Sequence, residues 1–339
     1  MVVVMKADAT DQDLHALLDR IDALGFRAHT SRGAERTVVG IIGDERPVDP
    51  QVFEVLGGVE RVVPILHPFK LASRDFHPED RVIDFGKGIT LGGPGVSMMA
   101  GPCAVESREQ LEETARAVAA AGVRILRGGA FKPRTSPYSF QGLGEKGLRL
   151  LRETADQLDM AVVTEVVSPE DVGVVAEYAD LLQVGSRNMA NFMLLRSVGT
   201  SGRPVLLKRG LGSTVDELLQ AAEYVLASGN EDVAVCERGI RTFETATRFT
   251  LDINAVPVLK SLTSLPVVVD PSHATGRADW VAAVARAGVA AGADGLLVEV
   301  HPNPAEALSD GAQSLTPAAF AELMDSVTAI AGAIGRRVA

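Results

Sequence analysis

Short apolar runs alternate with longer stretches of helical periodicity along most of the chain. From about Ser97 onward the alternation repeats eight times, in steps averaging roughly 28 residues. The apolar runs are SMMAGPC, VRILRGG, MAVVTEV, LLQVGS, PVLLKRG, DVAVCERG, PVVVDPSH and GLLVEVH. They lack a polar alternate face, which is the pattern of parallel strands covered on both sides. The segments between them, such as REQLEETARAVAAAG and TVDELLQAAEYVLASG, place apolar residues at helical spacing, keep a charged outer face and end in Gly. Eight such units predict a (β/α)₈ TIM barrel. A doubly wound open sheet uses the same units, but its Gly-x-Gly-x-x-Gly turn is missing after the first strand.

The beginning of the chain has a different rhythm. MVVVMK reads as a strand, and Thr10 or Asp11 can cap a helix whose Leu14, Leu17, Leu18, Ile21 and Leu24 share one face before Gly25 ends it. FRAHTS and RTVVGIIGD follow as strands joined by a turn at Arg32-Gly33, then a short helix around 50–56 and the strand VERVVPIL. This order is the split β-α-β arrangement of a small α+β, ferredoxin-like domain. Pro64, Pro68 and the polar run SRDFHPEDR read as a linker, and RVIDFGKGITLGGPG as a hairpin. The predicted organisation is a ferredoxin-like domain over 1–66, a linker and hairpin over 67–94, and a barrel over 95–339.

Composition narrows the function classes. In 339 residues, 46% hydrophobic and 23% charged content is that of a globular chain, so disorder and fibrous folds are set aside. Thirty-three basic against 44 acidic residues give a net charge of −11, which disfavours nucleic acid and acidic membrane surfaces as partners. The opening apolar run stops at Lys6 and Asp8, short of a signal peptide, so a cytoplasmic protein is expected. Two cysteines cannot make a disulfide framework. Cys236, on the sixth barrel strand, is expected to be buried filler.

Candidate chemistry collects where the barrel strands end: Cys103, Arg127, Glu165, Arg187, Lys208, Arg238, His273 and Glu299. In a barrel these positions share the C-terminal face, where active sites are built. Cys103, His273, Glu299 and Asp310 form a mixed soft and hard donor set suited to Mn, Fe, Co or Zn. Each also has an ordinary reading: core filler, a capped turn, half of a salt bridge and a helix cap. Arg127, Lys132, Arg134, Arg187, Lys208, Arg238 and Arg277 concentrate positive charge in an acidic chain, which suggests a ligand with more than one anionic group. The loop FKPRTSPYSFQGLG is long for a barrel connection and stiffened by Pro133 and Pro137, as a phosphate-receiving loop would be.

With GPCAVES, KPRTSPYSFQG, QVGSRNM, KRG, ERG, DPSHATGR and EVHPNPAEALSDGAQSL in view, the whole chain resembles the 3-deoxy-D-arabino-heptulosonate 7-phosphate (DAHP) synthase family, in its short-barrel form with an N-terminal ferredoxin-like (ACT-like) regulatory domain. The resemblance implies a transferase that condenses phosphoenolpyruvate with erythrose 4-phosphate, the first step of the shikimate pathway to chorismate and the aromatic amino acids. It implies Cys103, His273, Glu299 and Asp310 as ligands of a divalent metal. It implies Arg127 and Lys132 at the phosphoenolpyruvate carboxylate, Arg187, Lys208 and Arg238 at its phosphate, and Arg134, Thr135 and Ser136 at the aldose phosphate, with Arg277 a weaker member of that group. The alternative in the same chemistry is a KDO8P synthase, which acts on a five-carbon aldose phosphate. Such enzymes typically carry Lys-Ala-Asn-Arg-Ser where this chain has Lys-Pro-Arg-Thr-Ser, so Pro133 and Arg134 favour the four-carbon aldose. A different class of alternative is a non-catalytic amino-acid-binding protein.

The charges suggest a division of labour: Lys132 protonates the alkoxide formed at the aldehyde, and Glu165 and Lys208 position or deprotonate a water. For the N-terminal domain the resemblance implies a sensor of Tyr or Phe that uses His29 and Ser31, against the alternative of a purely structural domain. A homotetramer is expected.

Overall fold

The computed structural model describes residues 1–33, 36–43, 48–63, 68–132, 136 and 138–339. The chain divides into two units, Met1–Glu79 with Ser261–Ser264, and Asp80–Lys260 with Leu265–Ala339. In the first unit, β1 (Val2–Met5) leads to α1 (Asp11–Ala23), followed by β2 (Arg27–Arg32), β3 (Thr37–Ile42), α2 (Gln51–Glu54) and β4 (Val59–Val63). The helix begins where it does because Thr10 and Asp13 form a capping box: the Thr10 hydroxyl accepts from the Asp13 amide, and the Asp13 carboxylate accepts from the Thr10 amide. Gly25, at φ 79°, supplies the left-handed residue that lets the chain turn back into β2.

Leu14, Leu17 and Ile21 pack on Val3, Met5, Val39, Ile41 and Phe53. The four strands form an antiparallel sheet in the order β2-β3-β1-β4, which is the ferredoxin-like topology. The segment read from sequence as a linker behaves otherwise over 68–79. Phe69, Leu71, Ala72 and Phe76 are buried, and the Phe76 ring lies where a side chain at Gly40 would stand. The Pro and charged residues of this stretch outweighed four apolar residues with no regular period. Ala34 and Glu35, the end of VERVVPIL, and most of the Lys-Pro-Arg-Thr-Ser loop lie outside the described residues.

The second unit opens with a hairpin, β5 (Val82–Asp84) and β6 (Thr90–Gly92). Eight parallel strands follow: β7 (Gly95–Gly101), β8 (Ile125–Arg127), β9 (Ala161–Val166), β10 (Leu181–Val184), β11 (Val205–Lys208), β12 (Val233–Glu237), β13 (Val267–Val269) and β14 (Gly295–Glu299). Pairing of β14 with β7, from Gly295 on Ser97 to Glu299 on Gly101, closes the barrel. The connecting helices are α3 (Arg108–Ala120), α4 (Glu145–Gln157), α5 (Val172–Tyr178), α6 (Phe192–Gly199), α7 (Val215–Ala227), α8 (Ala255–Leu262), the short α9 (Pro271–Thr275), α10 (Ala278–Ala290) and, after β14, α11 (Pro317–Ala333).

Met99, Ile125, Val163, Leu181, Leu206, Ala234, Val268 and Leu297 fill the interior with Cys236, and Ile83, Ile89 and Leu91 of the hairpin join the same cluster. With its interior packed, the barrel has its polar strand ends as the place for chemistry. Among the described residues no helix is long and apolar enough to cross a membrane.

Candidate active site

The site begins with one glycine. Gly101, the last residue of β7, has φ 151°, and a Cβ there would meet the Arg127 carbonyl oxygen at 2.1 Å. That close approach lets the chain turn inward beyond the strand and bury Cys103. Barrel closure sets Glu299, the last residue of β14, opposite Gly101. Asp310 arrives from the loop after β14 in a left-handed conformation, φ 52° and ψ 33°. Glu106 holds that loop in place: its carboxylate accepts from the Leu308 amide at 2.8 Å and faces His301 Nε2 at 3.4 Å.

Ligand atoms of Cys103, Glu299 and Asp310 therefore lie within 4.8 Å of one another. This group does not include His273, whose Nε2 stands 3.4 Å from Glu299 Oε1. Burial, reinforced by Glu299, pushes the Cys103 thiol up to about 12 against the pull of Lys132 and Arg127. Burial would also raise Glu299, yet His273 and Arg127 hold its carboxyl well below the usual range. Asp270 behaves in the same way between His273 and Lys208. Burial lowers His273. A thiol and two carboxylates around one point, with the His273 imidazole beside one of those carboxylates, are the donor chemistry of a divalent transition metal, so the residues present fit such an ion.

Positive charge rings this group. Arg127 donates to Glu299, while Lys132 Nζ donates to the Cys103 carbonyl at 2.9 Å and lies 3.2 Å from its sulfur. Lys208 is paired with Asp270. Arg238 is buried with its guanidinium 4.1 Å from the centre of the Phe249 ring, and its Nε has no hydrogen-bond partner among the described residues. These four cations line one cavity together with Arg187, Glu165, His273 and Asp310. The Glu165 carboxylate occupies the space left by Gly185, where a Cβ would stand 2.0 Å from Oε1, and it receives a long contact from Gln183 Nε2 at 3.4 Å.

Among the described residues, the other sequence candidates do not line this cavity. Arg134 and Thr135 are outside the described residues. Ser136 is exposed and accepts from the Tyr138 amide. Arg277 is not among the residues lining this cavity: its exposed side chain pairs with Asp279 and lies over the Trp280 ring, just after Gly276, at φ 70°, ends α9. In the N-terminal unit His29 faces the Phe76 ring at 5.5 Å, and Ser31 lies in the same strand, opposite Val38.

The structure also brings in residues that sequence reasoning passed over. Arg248 donates to Asp310 at 3.2 Å and to Gln313 at 2.7 Å, and Gln313 donates to Glu299 at 2.7 Å. Ser309 Oγ is 3.0 Å from the Cys103 sulfur. Ser309 and Gln313 flank Asp310 within one motif, and Asp270 opens DPSHATGR, so position was the available signal for these three. Arg248 sits in a loop with no period or strand end to mark it.

Barrel and site together define an enzyme that works on anionic substrates at its C-terminal face, and comparison supplies the family. The chain belongs to the DAHP synthetase I family, whose profile matches residues 80–332, while residues 1–67 match the DAHP synthase ferredoxin-like domain. It is an enzyme of the 3-deoxy-7-phosphoheptulonate synthase class. It is 53% identical to a phospho-2-dehydro-3-deoxyheptonate aldolase of Thermotoga maritima, with 100% of both chains covered. A crystal structure of a Thermotoga maritima phospho-2-dehydro-3-deoxyheptonate aldolase (DAHP synthase) superposes with a TM-score of 0.80 at 52% identity, covering 100% of this chain and 99% of that one. A 2-dehydro-3-deoxyphosphooctonate aldolase of Acidithiobacillus ferrooxidans is 35% identical over 63% of this chain and 82% of its own.

Proposed function

We propose that the chain joins phosphoenolpyruvate to erythrose 4-phosphate, releasing inorganic phosphate, at a divalent metal held by Cys103, His273, Glu299 and Asp310. The observation that carries this reading is the cluster of Cys103, Glu299 and Asp310 within 4.8 Å, opening on a cavity lined by cations. When bound, Mn, Fe, Co or Zn supplies Lewis acidity toward an aldehyde oxygen. Arg127 and Lys132 hold the enol's carboxylate, and Arg187, Lys208 and Arg238 its phosphate. Arg134, Thr135 and Ser136 receive the aldose phosphate.

C3 of the enol attacks the aldehyde carbon, and Lys132 gives a proton to the resulting alkoxide. Water adds at C2 with Glu165 and Lys208 positioning or deprotonating it, and phosphate leaves with cleavage of its C–O bond. The fixed cations offset repulsion between two phosphorylated substrates and act mainly through orientation. The full-length 53% match supports the four-carbon aldose over the five-carbon one, for which the similarity is lower and covers less of the chain. The test is to supply metal-loaded protein with phosphoenolpyruvate and each aldose phosphate in turn and to follow phosphate release. Release with the five-carbon aldose alone overturns the choice, and release with neither overturns the reaction.

Residues 1–66 act in this reading as a sensor for Tyr or Phe. The ferredoxin-like match supports it, and His29 and Ser31 are the residues assigned. Titrating turnover of the full chain with each aromatic amino acid tests the assignment. A flat response to both returns the domain to a structural role.

A further inference from the structure

Asp270 follows β13 and is fully buried at the floor of the site. Its Oδ1 accepts from the His273 amide at 2.9 Å, which caps α9. Its Oδ2 meets two partners at once, His273 Nδ1 at 2.7 Å and the Lys208 ammonium. Lys208 has only hydrogens to offer and keeps the carboxylate ionised, so Oδ2 is an acceptor on both sides. In the neutral ring the Nδ1 hydrogen must then lie on the Asp270 side, which leaves the Nε2 lone pair facing Glu299 Oε1, 3.4 Å away, an oxygen that already accepts from Arg127. Neither atom can donate to the other, and both can offer a lone pair to a shared cation.

We infer that Asp270 is a positioning residue that sets the tautomer of His273 for metal binding and, through the same carboxylate oxygen, links the metal centre to Lys208 in the phosphate pocket. The inference rests on the reading of His273 as a metal ligand. It adds a coupling that no strand-end pattern contains: Lys208 and His273 share Oδ2, so whatever draws Lys208 toward a bound phosphate strengthens the Asp270–His273 bond and the donor power of Nε2. Substrate and metal should therefore reinforce each other through one buried atom.

Asp270→Asn keeps the oxygen that caps α9 and replaces Oδ2 by an NH₂ group. That group repels the Lys208 ammonium and donates to Nδ1, moving the imidazole hydrogen to Nε2, where it blocks the metal. The test measures Co²⁺ affinity by chelator competition in full-length wild type, Asp270→Asn, Lys208→Met and the double variant. Side-chain ¹⁵N shifts of His273 are recorded in the metal-free wild type and Asp270→Asn. The expected loss for Asp270→Asn is about 10- to 100-fold in Co²⁺ affinity, with a cooperative thermal transition retained and the ring hydrogen moved from Nδ1 to Nε2.

Lys208→Met should tighten Co²⁺ binding by a factor that shrinks about threefold or more once Asp270 is Asn. Wild-type affinity in Asp270→Asn, an unmoved ring hydrogen, or the same Lys208→Met effect in both backgrounds overturns the inference. If Asp270→Asn does not fold, Lys208→Met with unchanged Co²⁺ affinity overturns it as well. A wild type that binds no Co²⁺ sinks the metal reading instead, and the metal-free tautomer measurement still decides the role of Asp270.

Discussion

Arg127, at the end of β8, and Glu299, at the end of β14, form a buried ion pair that reaches across β7, with side chains 6% and 1% exposed. Removing one member of such a pair strands the other charge, at a cost of about 3–5 kcal/mol. Arg127→Met should therefore lose stability of that order in urea unfolding of the metal-free protein. A divalent ion placed beside Glu299 restores positive charge, so added Co²⁺ or Mn²⁺ should recover part of the loss. An equal deficit with and without metal would separate Glu299 from the metal site.

The same reasoning predicts how the wild type responds to chelation. A ligand present at 100 times its dissociation constant stabilises the folded state by about 2.7 kcal/mol. Metal-free protein should thus unfold at a lower temperature than metal-loaded protein and regain its transition when Mn²⁺ or Co²⁺ returns. Cys103→Ser exchanges the soft donor for a hydroxyl, and the stabilisation by metal should then largely disappear while the fold persists. A full metal-dependent shift in Cys103→Ser would remove the sulfur from the donor set.

Gly185 and Glu165 give a subtler test. A methyl group at Gly185 would stand 2.0 Å from the Glu165 carboxylate, the free end of a flexible side chain, so the substitution displaces that group without breaking the fold. Misplacement by about 1 Å in a catalytic constellation can cost on the order of 100-fold in rate. Gly185→Ala should reduce turnover by about 10- to 100-fold while metal content stays at the wild-type level. Parallel loss of metal and turnover would assign Glu165 to the metal rather than to water.

Much of this architecture was legible in the chain because barrel strands buried on both faces leave uninterrupted apolar runs, and closure puts every strand end on one rim. That is how Cys103 and Glu299, 196 residues apart by 299 − 103, read as neighbours before any coordinates. Signals without a period were missed. Phe69 and Phe76 looked like part of a linker because prolines and charges surround them, and Arg248 was lost in a loop whose path no local rule dictates. Arg277 sits within a well-marked motif, yet its place at the surface follows from one left-handed glycine before it, a turn the motif alone does not reveal. Asp270 was in plain sight in DPSHATGR, yet its value lies in a contact with Lys208, 62 residues earlier.

Arg238 contrasts with Arg127 and yields a prediction of opposite sign. It is 5% exposed, its Nε lacks a partner among the described residues, and NH1 reaches only a long contact to the Gly239 carbonyl at 3.5 Å. Burial lowers its pKa. The acidic group that favours its charge most, Asp270, already serves Lys208 and His273. A buried guanidinium in this state weakens the fold, and an arriving phosphate would satisfy it. Arg238→Met fills the same space without charge and strands no carboxylate, so its stability in buffer should equal or exceed that of the wild type. Phosphoenolpyruvate should raise the unfolding temperature of the wild type and have little effect on the variant. The pair of thermal scans checks both halves: a destabilised Arg238→Met would mean that the residue braces the barrel, and an undiminished response to phosphoenolpyruvate would move the phosphate site away from it.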